Sequence, residues 1–292
     1  MTTMYKNGII TLNETSKGAV NTKKDVKTVK QNEPISSEWY YAIKWLAIIF
    51  MVIDHIPKTI ETGWSDETLL LMRMIGRMAM PLFAWEIVQC FHFTKDKKKH
   101  LIQLGILAVI SEVPYDRSMT GQWCTWERQN VCFTFLLGWL VVWLMNADWD
   151  NYFFKSGLTR KRFRKAASKL AGVATSFPLF FAANALHVDY VWQGVGLVFL
   201  FEFARNRKHR KLWELIAVMA YIGSMGTELV PIYLSCFFCL IFMWLAEYDA
   251  VRPQRKNAFA GKVLLGKPSR MICRYFYPAH LIVLGVLSEV IR

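Results

Sequence analysis

Asp54 and His55 stand side by side in WYYAIKWLAIIFMVIDHIPKT, residues 39–59, an otherwise mostly apolar run with an aromatic cluster at its start. A run of about twenty apolar residues, rising about 1.5 Å each as a helix, spans the hydrocarbon core of a bilayer. An ionisable pair in such a span either does chemistry or sits at the helix exit, wetted by headgroup water. Arg73 and Arg77, spaced i and i+4 in the next apolar run, share a helix face. His280 follows Pro278 in YFYPAHL, where the proline frees a backbone carbonyl and kinks the helix. It either bonds such a carbonyl or lines a cavity opened by the irregular backbone. These residue types suit proton transfer, as the base of a group-transfer reaction or as the relay of a permease.

The elements that must position these groups are apolar blocks. The 292 residues are 54% hydrophobic and 15% aromatic, too apolar for a soluble domain of this length. Nine blocks have the length of spans: 39–59, 68–93, 100–116, 130–147, 169–187, 189–205, 212–228, 230–247 and 271–291, with eight to ten as the plausible range. The expected fold is an all-α polytopic membrane bundle over 38–292. A polar, Lys-rich tail at 1–37 precedes it, reads as disordered and holds no signal-peptide core. The net charge of +14 suggests nucleic acid only until its distribution is read. Of the 36 Lys and Arg, 28 fall in 1–38, 94–99, 148–168, 206–211 and 248–270 with the flanking Lys169 and Arg205. That alternation is the positive-inside pattern, with the N-terminus cytoplasmic and the C-terminus outside. No sequence repeat of the transporter kind is visible.

Orientation assigns depths. Asp54, His55, Arg73 and Arg77 fall toward the outer side, with Glu112, Asp116, Asn130, Thr134 and Asp189 near the same level. Asn184, His187 and Gln193 surround the outer turn near Asp189. Facing lipid, such groups would be intolerable, so they are expected to line a shared cavity. Lys44 and Arg274 lie within snorkelling reach of the cytoplasmic surface. Glu86 and Glu202 lie deeper and call for cations on neighbouring helices. His92, His100 and His209 read as surface residues, and His280 as mid-membrane, deeper than His55. Cys236 and Cys239 form a CxxC inside an apolar run, where packing explains them better than zinc or redox chemistry. Cys124 and Cys132 would pair only if the loop between them is extracytoplasmic.

Several segments resemble the TraX family, membrane proteins associated with N-acetylation of conjugative pilin, within the wider group of acyltransferase-3 and related transmembrane acyltransferases. They are IKWLAIIFMVIDHI (43–56), IGRMAMPLFAW (75–85), HLIQLGILAVISEVPYD (100–116), NVCFTFLLG (130–138), DYVWQGVGLVFL (189–200) and YFYPAHLIVL (275–284). The sequence departs from the pattern at Pro57, at Val191, where a glycine is expected after Asp-Tyr, and around Gln89-Cys90-Phe91, where a glycine is missing.

The resemblance implies transfer of an acyl group, acetyl first, from cytoplasmic acetyl-CoA to an amine or hydroxyl acceptor on a peptide N-terminus or a surface glycan. No metal is expected. Such chemistry needs a base near neutral pKa, a place for negative charge and exclusion of water. His55 suits the base or an acyl carrier. Adjacent helical residues point about 100° apart, so Asp54 is better placed to pair with Arg73 or Arg77 than to orient the His55 ring. Arg77 could stabilise the oxyanion or bind the donor, and His280 joins the catalytic set. Lys44, Arg274, Arg73 and Tyr277 are the expected donor-binding residues. A proton-coupled permease and a non-catalytic assembly partner of a surface apparatus are the other two readings.

Overall fold

A computed structural model describes residues 37–60, 63–125, 127–153, 161–226, 230–250 and 270–291. The tail expected to be disordered, 1–37, lies outside the described residues except for Ser37. Among the described residues the chain is helical without strands, and one isolated bridge joins Gln129 to Val188. The helices are α1 Ser37–Thr59, α2 Asp66–Arg77, α3 Ala79–Phe93, α4 Lys97–Thr120, α5 Val131–Met145, α6 Trp149–Phe153, α7 Lys161–Ala185, α8 Val191–Arg205, α9 Arg210–Gly223, α10 Val230–Tyr233, α11 Cys236–Ala250 and α12 Arg270–Ile291.

Local sequence explains where they start and stop. Ser65, Asp96 and Asn130 cap α2, α4 and α5, each accepting a hydrogen bond from a backbone N–H in the first turn. Gly121 ends α4 with φ of 72°, a conformation that suits a residue without Cβ. The expected span 68–93 is interrupted at Met78, giving α2 and α3. Pro81 has no N–H, so the Arg77 carbonyl lacks its usual i+4 donor. The Cys236 thiol donates to that carbonyl at 3.4 Å and the Cys239 thiol to the Met78 carbonyl at 3.2 Å. The Ser235 hydroxyl donates to the Met74 carbonyl. The CxxC is thus the hydrogen-bonding partner of a helix break.

Other boundaries differ from expectation. The block 100–116 is short by hydropathy, yet α4 runs for 24 residues because Asp96 caps it early and Gly121 stops it late. Helix α7 reaches back to Lys161, into a stretch expected to be loop, and the block 230–247 breaks at Leu234–Ser235.

Helix α1 packs on α2 and α3, α4 on α5 and α12, and α8 on α5 and α9. The core holds Trp85, Trp139, Phe91, Met80, Leu82 and Leu197, all but closed to solvent. Helix α4 is amphipathic in the inverse sense of a soluble helix. It buries Ser111, Glu112, Asp116 and Ser118 while exposing Ile102, Ile106, Val109, Ile110 and Val113, an apolar stripe at helical spacing. Two helical stretches, Trp39–Thr59 and Phe163–Ala185, are long and apolar enough to cross a membrane by themselves, and three shorter apolar stretches occur at Val131–Met145, Cys236–Tyr248 and Tyr275–Ile291.

Candidate functional site

The last turns of α1 bring Asp54 and His55 into the bundle, both 4% exposed. Asp54 faces α2, which comes so close that a Cβ on Gly76 would lie 2.6 Å from the Asp54 Cα. Only glycine admits that approach. The Asp54 Oδ2 accepts from Lys58 Nζ at 2.6 Å, and Arg77 Nη1 lies 3.6 Å away. Of the two expected partners, Arg77 is therefore present and Arg73 is not, because Arg73 points to the exposed side of α2. Lys58 was missed as a site residue, although it stands at i+4 from Asp54, a spacing that signals such a pair.

Arg77 turns away from Asp54 toward aromatic groups. Its Nη1 donates to the Tyr190 hydroxyl at 3.1 Å. The guanidinium lies 5.7 Å from the Tyr190 ring centroid and 5.5 Å from that of Tyr233, within reach of both ring quadrupoles. Tyr190 reaches it from a strained turn, with φ of 48° at His187, 61° at Tyr190 and 40° at Val191. A β-branched residue in this region is an outlier, which gives the glycine expected at 191 a physical reason. Gly194 then allows α8 to close in: a Cβ there would meet Thr134 Cγ2 at 2.7 Å and Met80 Cε at 2.8 Å.

His55 points elsewhere. Its Nδ1 lies 2.8 Å from His280 Nε2, and His280 Nδ1 lies 3.0 Å from the Phe276 carbonyl oxygen. A carbonyl only accepts, so His280 Nδ1 carries the hydrogen and, in the neutral ring, its Nε2 is the acceptor. His55 Nδ1 must then be the donor, which leaves the lone pair on His55 Nε2. The chain of two imidazoles, anchored on one main-chain oxygen, fixes the tautomer of the terminal ring. Of the two alternatives open for His280, the structure shows the first: it bonds a carbonyl, and it lines neither cavity but reaches His55. The expectation that it lies deeper than His55 is corrected. That depth assumed α1 and α12 to start level, whereas the pairing shows them staggered. The Tyr277 ring packs against both imidazoles, with centroids 6.2 Å from His55 and 5.4 Å from His280.

The other polar residues do not share one cavity. Asn130 donates to Glu112 Oε2 twice, from its backbone N–H at 3.2 Å and from Nδ2. Asp116 Oδ2 accepts from the Thr125 N–H at 2.8 Å, and the Thr134 hydroxyl donates to the Asp189 carbonyl. They tie helix ends and loops to one another. Of these five residues, Asp189 alone lines the small chamber beside His55, together with Asp54, Met80, Phe83 and Tyr190. Asn184 and His187 are exposed, and Gln193 Nε2 donates to the Ser224 carbonyl at 3.4 Å.

A larger cavity of ≈ 160 Å³ lies on the other side, lined by Lys44, Ile48, Glu86, Leu104, Phe276 and Tyr277 among others. Lys44 does not snorkel. Its Nζ pairs with Glu86 Oε1 at 2.6 Å, and Tyr40 donates to the same oxygen at 2.9 Å. The side chain of Arg274 lies outside the described residues.

His92 and His100 are corrected from surface to half-buried. His92 Nε2 lies 2.8 Å from Glu202 Oε2, and His100 stacks on Trp139 with centroids 4.2 Å apart. A deep carboxylate recruits polar partners inward, as Glu202 does with His92 and Asn146. Cys124 and Cys132 are both free thiols, the first exposed and the second buried. Among the described residues no group of three or more His, Cys, Asp or Glu has metal-holding geometry.

A family model described as TraX protein matches residues 40–288 of the chain. No curated protein and no solved structure matches it.

Proposed function

The chain belongs to the TraX family, and from that premise we propose that it is an integral membrane acyltransferase moving an acetyl group from cytoplasmic acetyl-CoA to an amine or hydroxyl at the outer face of the membrane. The observation that carries this reading is the imidazole chain, which ends in an available His55 Nε2 lone pair, with the His55 ring lining a small chamber that Asp54, Asp189 and Tyr190 also line. The acceptor's lone pair attacks the thioester carbonyl while His55 Nε2 takes the proton that the acceptor gives up. The tetrahedral intermediate collapses, the carbon–sulfur bond breaks, and the proton held by His55 returns to the departing thiolate. During this step His55 is briefly an imidazolium, and its Nδ1–H stays bonded to His280.

The oxyanion needs a donor. Tyr190 lines the chamber and accepts from Arg77, so its own O–H hydrogen is free to donate while the guanidinium strengthens it. Arg77 thereby acts through Tyr190. Asp54 is the shared counter-charge of the two cations, lying 2.6 Å from Lys58 and 3.6 Å from Arg77.

The apolar exterior supports a bilayer setting. Ile102, Ile106, Val109, Ile110 and Val113 lie outside a helix that buries two carboxylates. Such a stripe is stable against lipid and unstable against water. With the positive-inside charge pattern, the reading is a multi-pass protein of the cytoplasmic membrane whose N-terminus faces the cytoplasm.

The test is mass spectrometry of secreted peptides and surface polymers from cells carrying the parent or His55→Ala. One species is expected to lose an acetyl mass in the variant. Identical spectra, with the variant present at parental level, would remove the acceptor side of the proposal.

A further inference from the structure

Two cavities share one wall: Met51, Phe83, Val131 and Phe135 line both the chamber beside His55 and the larger cavity beyond it. Building on the acetyl-transfer reading, we propose that the larger cavity holds the pantetheine arm of the donor, and that Phe83 and Phe135 form a neck admitting only a short acyl group to His55.

Size separates the two compartments. The chamber measures ≈ 20 Å³. On the same measure, about 10–15 Å³ holds one water molecule. The chamber is thus on the scale of an acetyl group and not of an eight-carbon chain. The larger cavity, at ≈ 160 Å³, has room for an extended arm. Between them the Phe83 and Phe135 rings pack against each other with centroids 5.7 Å apart, an apolar partition that a bulky acyl group passes only by displacing a ring.

The chemistry of the walls selects the occupant. Ile48, Ile87, Leu104, Leu107 and Phe276 make the larger cavity mostly apolar. Among the described residues, two buried polar groups that line it are incompletely bonded: Glu86 Oε2 has no hydrogen-bond partner, and the Tyr277 hydroxyl meets only the Val131 backbone N–H, so its own hydrogen has no acceptor. Buried polar groups call for partners, so the occupant should bring a donor for Glu86 and an acceptor for Tyr277 on a slim, largely apolar chain. A hydrocarbon tail offers neither group. A phosphate is disfavoured by Glu86, which already neutralises Lys44. A pantetheine arm carries two secondary amides, whose N–H and C=O groups match both.

The experiment is equilibrium binding of radiolabelled acetyl-CoA to the full-length protein in detergent, competed by S-acetylpantetheine, which lacks the nucleotide, and by octanoyl-CoA. S-acetylpantetheine is expected to compete fully, and octanoyl-CoA about tenfold more weakly than acetyl-CoA. Tyr277→Phe should weaken S-acetylpantetheine about tenfold, through loss of one buried hydrogen bond. Phe83→Ala should raise octanoyl-CoA relative to acetyl-CoA by about tenfold; should that variant fail to fold, Phe135→Leu carries the same comparison. If acetyl-CoA binds but S-acetylpantetheine does not displace it, or Tyr277→Phe changes nothing, the cavity assignment is wrong while acetyl transfer stands. Parental protein that takes octanoyl-CoA as readily as acetyl-CoA disposes of the neck. Absence of acyl-CoA binding at any ionic strength overturns the transfer reading and this proposal with it.

Discussion

Buried charges at the two ends of the bundle are handled differently. Near the Lys97–Lys99 run, polar groups close on one another: His92 with Glu202, and Arg210 with Glu214 and Glu247. Trp244 Nε1 adds a 2.9 Å bond to Glu214, and Asn146 a 2.9 Å bond to Glu202. At the other end, the imidazole chain begins on the Phe276 carbonyl and stops at His55 Nε2, an atom given no partner by the tautomer that the chain imposes. Closed pairs hold helices together. An open chain that ends beside a chamber holds a proton acceptor ready. Asp54 and Lys58 close in the same way beside His55, so on the proposed reading it is the open imidazole chain, and not buried charge as such, that marks the chemistry.

The contrast breaks most sharply at His55. His55→Ala should lower transfer by about 10²–10⁴-fold, the range for a lost general base. Transfer retained within a few-fold would make the open end as structural as the closed one. Glu214→Ala should do the reverse. Removing it leaves the half-buried Arg210 with Glu247 alone and Trp244 Nε1 without its acceptor. Stability measured by thermal or denaturant unfolding in detergent should then fall by about 1–3 kcal/mol. The folded fraction should retain parental activity per molecule. A loss of turnover at unchanged stability would move the chemistry to the closed end.

His280→Ala tests the link between the rings. It leaves His55 Nδ1 without its acceptor. Unfolding should therefore cost about 1–3 kcal/mol less than in the parent. Transfer should fall less than in His55→Ala, because the base survives in a mixture of tautomers. Equal losses in the two variants would mean that His280 touches the reacting atoms itself. The smallest effect is expected at Val191, which holds a positive φ. Relief of that strain by Val191→Gly should outweigh the added chain entropy and gain about 1 kcal/mol, seen as a higher Tm. A lower Tm would show that Val191 packing matters more than its backbone.

Much of this was legible in residue types alone. Apolar blocks marked the helices, and Asp54, His55 and Arg77 announced themselves by standing where charge is costly. The break at Met78 was not read, because the block 68–93 looks continuous by hydropathy; Pro81, four residues past Arg77, carries the signal. Pairing across 225 residues could not be read, because stagger between α1 and α12 depends on side-chain packing and not on hydropathy. The same holds for Glu112, Asp116, Asn130 and Thr134. Polarity placed them at one level, but only the contacts show that they satisfy each other and the backbone. Tyr190 and Tyr233 were invisible as partners of Arg77, since a tyrosine in an apolar block looks like core until its hydroxyl is located.

The tautomer of His55 is the most direct test. Nitrogen-15 NMR of histidine-labelled protein in detergent distinguishes protonated ring nitrogens from those carrying a lone pair. His55→Ala and His280→Ala spectra assign the two rings among the six histidines. The imidazole chain predicts a neutral His55 with the hydrogen on Nδ1 and the lone pair on Nε2, and a tautomer mixture at His55 once His280 is alanine. A hydrogen on His55 Nε2 in the parent protein would contradict the chain, and with it the assignment of His55 as the base.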